Sequence, residues 1–230
     1  MRMTWVNWKH SDKRDYKKAQ KERAKLYSRV DEVLYEMCDK WPDHKNLGIV
    51  HAKVRIIGRV YGTGLERKSK KDKIKGIYET VSNILNQNGP LVDQEIRELK
   101  AYGQLSKESY QKILFAHGKL VRLLRENTKS KLNFRSFASK YLHFHVPIVP
   151  IFDSQASKII NYPDWYPWKP FKKHALIPMR KEYDPVYFKF FNQFIIYYCD
   201  VEKLKLHPTT RSADWFLIWS ADNYYDSRKN

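Results

Sequence analysis

From Ser11 to about Lys40 the sequence runs without a single Gly or Pro. Along it Tyr16, Ala19, Ala24, Leu26, Tyr27, Val30, Val33, Leu34 and Met37 recur at helical spacing. The segment is therefore a long helix that must bury a broad apolar stripe against other elements. Ser11 supplies an N-cap and Trp41-Pro42 a stop. A second helix is predicted over Leu47 to Gly62, with Val50, Val54, Ile56, Ile57 and Val60 inward and His51, Lys53, Arg55 and Arg59 at intermediate positions. It closes at Gly62-Thr63-Gly64, and Arg67 to Lys73 reads as a charged linker. Helices follow over Ile74 to Leu85, Val92 to Ala101, Tyr110 to Arg125 and Phe134 to Phe144.

Prolines 147 and 150 force Val146 to Phe152 into an extended connection. Asp153 or Ser154 then caps a short helix through Ile160. Residues 162 to 171, YPDWYPWKPF, form a rigid aromatic and proline loop, and helices over about Pro185 to Lys203 and Arg211 to Asp222 complete the chain. No strand pattern stands out. The expected fold class is all-α, in about ten helices.

The 230 residues include 44 Lys plus Arg against 25 Asp plus Glu, a formal net charge of +19. Such an excess calls for a polyanionic partner, and nucleic acid is the natural one. Charge alone does not separate DNA from RNA. Apolar residues at 42% and aromatics at 15% exclude a disordered basic tail and provide one sizeable core. No segment approaches the roughly 18 apolar residues of a membrane span, and the N-terminus has no signal-peptide pattern. Basic residues are spread along the chain rather than gathered on one amphipathic helix, which argues against a membrane partner. A cytoplasmic monomer is expected. Cys38 and Cys199 lack metal-ligand spacing and read as buried free thiols of a reducing compartment.

The most informative run is Asn133-Phe134-Arg135-Ser136-Phe137-Ala138-Ser139-Lys140-Tyr141-Leu142-His143-Phe144-His145, followed by Pro147 and Pro150-Ile151-Phe152-Asp153-Ser154. A helix, a proline-bearing connection and an Asp opening the next helix resemble the catalytic region of the helix-hairpin-helix DNA glycosylases. The similarity is clearest over residues 133 to 160 and vaguer in the closing Arg211-Ser212-Ala213-Asp214-Trp215 helix. It extends to small bacterial proteins with an S-F-A-S-K-Y…F-H…P-I-x-D-S run and to glycosylases directed against phages with modified DNA. The resemblance implies two packed helical lobes with a cleft between them. One would hold about residues 1–66 and 184–230, the other about 70–160. It also implies cleavage of the N-glycosidic bond of a flipped base, in duplex or single-stranded DNA, with Asp153 assisting and no metal or organic cofactor.

Two departures bear on mechanism. The family's Gly-rich hairpin turn is replaced by Asn133-Phe134-Arg135-Ser136. The Schiff-base lysine of bifunctional members would fall near Arg135 or Ser136, which form no imine, while Lys140 lies one turn away on the same face. A monofunctional glycosylase is the expectation.

The chemistry of Asp153 stands apart from any resemblance. Breaking an N-glycosidic bond builds positive charge on the sugar, and a fixed carboxylate stabilises that charge or activates water. As an alternative, Asp153 is simply an N-cap worth about 1 kcal/mol. Lys140, able to reach the pocket from its face of the helix, is the second catalytic candidate, and a phosphate contact or a solvated charge is at least an equal reading. Tyr61, Ser136, Tyr141, His143 and Ser154 are candidate pocket residues, with core packing an equal reading for Tyr61. His143 and His145 form an H-x-H pair, but helical geometry points them to different faces and no third ligand follows, so no metal is expected. Arg135, Lys158, Trp165, Trp168, Lys169, Lys172 and Lys173 are the candidate DNA contacts. In the loop 162–171 and just after it, aromatic faces interleave with positive charge as an opened strand requires, or the rings merely cap the core. Against the enzyme stand a non-catalytic helical binder of DNA or RNA, which asks nothing of Asp153, and a metal-dependent nuclease. The nuclease wants clustered carboxylates, and Asp153 to Lys158 offers one.

Overall fold

The computed structural model describes residues 12–71, 76–128, 132–161 and 176–226, and every regular element among them is an α-helix. In chain order these are α1 (Asp12–Lys40), α2 (Leu47–Val60), α3 (Leu65–Lys71), α4 (Ile77–Gln87), α5 (Gly89–Lys100) and α6 (Lys107–Thr128). After them come α7 (Arg135–His145), α8 (Ser154–Ile160), α9 (Pro185–Lys203) and α10 (Thr210–Asp226). The all-α expectation holds. Several local expectations do not: Val60, expected inward on α2, is exposed, as are Leu26 and Val33 of the α1 stripe. The charged stretch after Arg67 is helical through Lys71 in α3, because Lys, Arg and Glu favour helix and Leu65 anchors the turn in the core. Lys53, expected at an intermediate position on α2, is wholly buried and donates to the Trp41 carbonyl. Ser11 and the loop 162–171 lie outside the described residues.

Local chemistry sets the helix starts. Asn46 accepts from the Ile49 amide to open α2. Asp184 accepts from the amides of Val186 and Tyr187 to open α9, with Pro185 in the first helical position. α1 packs along α10, α2 along α4, and α8 along both α9 and α10.

At the centre is α7, which touches α1, α2 and α6 and is buried on every side from Phe137 to His145. A helix buried all round is normally apolar. This one carries Ser139, Lys140, His143 and His145, so its polar groups need internal partners. Ser139 Oγ accepts from the Phe152 amide at 2.9 Å. His143 donates from Nδ1 to the Val149 carbonyl at 2.8 Å and accepts at Nε2 from the Tyr35 hydroxyl at 2.6 Å. These bonds fasten the connection of residues 146–152 onto α7. Expected to be extended, it instead makes a turn over residues 146–149, closed by the Val149 amide on the Val146 carbonyl at 3.0 Å, and only the stretch after it runs without regular structure.

Two predictions follow from this interior. Burial pushes the imidazoles of His44, His117, His143 and His145 downward, His117 to about 4 and His143 to about 3. The folded state therefore holds them neutral while the unfolded chain protonates them below about pH 6.5. Their contribution is complete above that pH and is lost as pH falls toward the folded values, at about 1.4 kcal/mol per pH unit for each histidine. Thermal melts should show Tm dropping steeply from pH 7 to pH 5; a flat profile would refute the assignment. Separately, a Cβ on Gly118 would lie 2.1 Å from the Glu182 carbonyl oxygen, which is backbone. Gly118→Ala should cost about 1–3 kcal/mol in a denaturant titration.

Candidate active site

Where the C-terminal end of α2 meets α7, the start of α8, α1 and α10, the structure encloses a cavity of about 330 Å³. Its walls include Tyr27, Tyr61, Lys140, Asp153, Arg211, Asp214 and Trp215. Two charged groups form one side. α2 stops as Gly62 and Gly64 take left-handed backbone, φ 58 and 73, which leaves the Tyr61 carbonyl without a helical donor. Lys140 supplies one: its Nζ donates to Tyr61 O at 2.9 Å, to Ser136 Oγ at 3.0 Å and to Asp153 Oδ2 at 3.3 Å. Three ammonium protons thus have three acceptors. Asp153 is the N-cap of α8, its Oδ1 accepting from the Gln155 amide at 2.8 Å. Lys140 is buried, whereas the Asp153 side chain keeps 19% of its surface open.

The other side is built around Arg211. Its Nε and Nη2 grip both oxygens of Asp31, at 2.6 and 3.0 Å, and its Nη1 donates to Asp214 Oδ2 at 2.7 Å. The Tyr61 hydroxyl also donates to Asp31. The guanidinium lies 5.3 Å from the ring centres of both Tyr61 and Trp215, and Tyr27 stacks on Tyr61 at 5.9 Å. Burial works against the Arg211 charge, but Asp214 and Asp31 outweigh it and hold its pKa above the usual value. Asp214 is wholly enclosed, and burial lifts its carboxyl to about 6, opposed by Arg211 and reinforced by Asp153. At the cavity edge Arg23 pairs with Asp222.

Asp153, Lys140, Tyr61 and Ser154 are brought together as lining residues, and Ser136 touches Lys140. Tyr141 and His143 are corrections to the expected pocket. Tyr141 is fully buried and its hydroxyl donates to His44 Nε2 at 2.8 Å, while His143 is spent on Tyr35 and Val149. Arg135, expected on phosphate, is held instead by Asp184 through two donors and lies over the Phe152 ring. Lys158 is exposed on α8. Trp165, Trp168, Lys169, Lys172 and Lys173 lie outside the described residues. Among the described residues no group of three or more His, Cys, Asp or Glu could hold a metal ion.

Sequence reasoning passed over Asp31, Arg211 and Asp214 as site residues. A signal was there: Asp31 sits in the 27/31/34/38 row of α1, buried at Asp31, Leu34 and Cys38 with Tyr27 half-buried, where an acid needs a partner, and Arg211 and Asp214 stand one turn apart. Removing the cation should expose the dependence. Arg211→Ala leaves two buried carboxylates facing each other and should cost about 3–5 kcal/mol in chemical denaturation. Arg211→Lys should recover only part, since an ammonium cannot grip Asp31 through two parallel bonds while also reaching Asp214.

The comparisons with known proteins are sparse. No curated protein and no solved structure matches the chain. One family model does, described as HI_0787_N, an N-terminal domain, over residues 10–149. That span takes in α1 to α7 with Asp31, Tyr61 and Lys140, and it stops four residues short of Asp153 and well before Arg211. With more than half its length matched, the chain belongs to the HI_0787_N N-terminal domain family.

Proposed function

We propose that the chain is a monofunctional DNA glycosylase of helix-hairpin-helix type, built as two helical lobes, that turns a modified base into the 330 Å³ cavity and hydrolyses its N-glycosidic bond. The observation that carries the reading is the Lys140–Asp153 pair at the wall of a cavity with aromatic sides. A flipped base needs stacking faces and polar groups, and Tyr61, Tyr27 and Trp215 supply the rings. The reaction needs a carboxylate held beside the sugar as positive charge builds there. Asp153 is fixed through both oxygens, by Lys140 on one and the Gln155 amide on the other, yet stays partly open. Its carboxylate either stabilises the sugar cation directly or takes a proton from the attacking water as the C1′–N bond breaks and the electron pair leaves with the base. Lys140 serves as a positioning residue. A nucleophilic amine needs a free lone pair, and an ammonium with three acceptors offers none, which favours water over an imine.

The net charge of +19 also supports a second reading, a helical DNA or RNA binder without chemistry. One experiment separates the two. The protein is incubated with ordinary and phage DNAs, abasic sites are revealed by alkali cleavage, and wild type is compared with Asp153→Ala. Release from at least one DNA is expected, falling on the order of 100-fold or more in the variant with binding retained. Tight binding with no base released from any DNA would sink the glycosylase in favour of the binder. Borohydride should trap no covalent adduct; an adduct lost in Lys140→Gln would reinstate the imine route.

A further inference from the structure

Two residues of the cavity wall carry polar atoms that the Lys140–Asp153 chemistry does not use. Asp214 Oδ1 and Trp215 Nε1 are both shielded from solvent and both without a hydrogen-bond partner. Their residues are consecutive on α10 and both line the cavity. Unpaired buried polar groups cost free energy, and native structures keep few of them. Here one orphan is an acceptor and the other a donor. A ligand that offers a donor and an acceptor of its own would satisfy both. The second Asp214 oxygen is already committed to Arg211 at 2.7 Å, and Arg211 is itself locked on Asp31, so the acceptor cannot turn away.

We infer that Asp214 and Trp215 determine which base the cavity accepts, reading an exocyclic amino group with Asp214 Oδ1 and a neighbouring ring nitrogen or carbonyl with Trp215 Nε1. The class selected is the amino-bearing nucleobases, of the adenine or cytosine kind, over their keto counterparts. This rests on the reading of the cavity as a base pocket. The groups that face Asp214 are Arg211 and Trp215 from α10, Lys140 from α7, Asp153 at the start of α8, Asp31 from α1 and Tyr61 after α2. Asp214, Asp153 and Asp31 against Arg211 and Lys140 leave the immediate surroundings of Asp214 short of positive charge, which suits a donor on the ligand.

Asparagine at this position inverts the preference by geometry. In Asp214→Asn the amide oxygen must face the Arg211 donor, so its NH₂ faces the cavity and the acceptor becomes a donor. Calorimetric titration with free adenine, cytosine, hypoxanthine and uracil should show the amino base of each pair binding wild type about tenfold or more tightly. The order should reverse in Asp214→Asn. Should that variant fail to fold, wild type alone decides: with the Asp214 carboxyl near 6, adenine affinity should fall between pH 7 and pH 5 while hypoxanthine affinity does not. Equal affinities, no binding of any base, or a preference that ignores both Asp214→Asn and pH would overturn the inference. The two proposals fail separately. If DNA yields no free base but amino bases still bind through Asp214, the cleavage reading falls alone. If Asp153→Ala abolishes release and Asp214→Asn leaves base choice unchanged, the specificity reading falls alone.

Discussion

A single guanidinium, that of Arg211, joins parts of the chain 180 residues apart, for it holds Asp31 of α1 through two parallel hydrogen bonds and Asp214 of α10 through a third. Tyr61 at the end of α2 enters the same cluster by donating to Asp31. Each of these charges would cost several kcal/mol buried alone. They persist because each is another's partner, and the cluster therefore fixes where α1, α2 and α10 meet. That junction is also the wall of the cavity. The packing of Tyr27, Tyr61 and Trp215 around the guanidinium depends on its staying in place.

The opposite wall is held by a different device. Asp153 follows a non-helical connection, a turn and then an irregular stretch, that would swing if its ends alone were anchored. Pro147 and Pro150 restrict its backbone, Ser139 holds the Phe152 amide, His143 holds the Val149 carbonyl, and Tyr187 of α9 donates to the Pro150 carbonyl at 2.7 Å. His143 therefore acts behind the site, by fixing the segment that delivers Asp153. A carboxylate held this way loses little on meeting a substrate, which is the structural condition for oriented catalysis.

How much of this was legible in the sequence follows from the same facts. Helices are written in a period that needs no tertiary knowledge, so α1, α2, α6 and α9 stand near their expected places, with ends displaced by a few residues. Asp153 as a cap and Lys140 on the preceding helix were also readable, since both follow from local pattern. Tyr141 and His143 were not. α7 is buried on all sides, so its sequence carries no amphipathic stripe to say which residues face a cleft and which face the core. Asp31 escaped for the converse reason: a stripe is read from its apolar members, and the acid in its middle is meaningful only once Arg211 is seen opposite.

Charge on two length scales ties the cavity to the whole. The chain carries +19, which on the proposed reading would draw a phosphate backbone from a distance set by ionic strength. Around Asp214 the balance is reversed: Lys140 and Arg211 stand against Asp31, Asp153 and Asp214 itself, two cations against three carboxylates. Burial is what chiefly lifts Asp214 to about 6, opposed by Arg211 and reinforced by Asp153. An unreacted neutral base meets the field of these charges only through the dipole of its amino donor. A sugar carrying positive charge as its glycosidic bond breaks would gain much, because only then does the ligand supply the missing cation. A strongly basic chain and a patch of excess carboxylate around Asp214 are thus complementary demands of the proposed reaction, the first serving the bound polymer and the second its transition state.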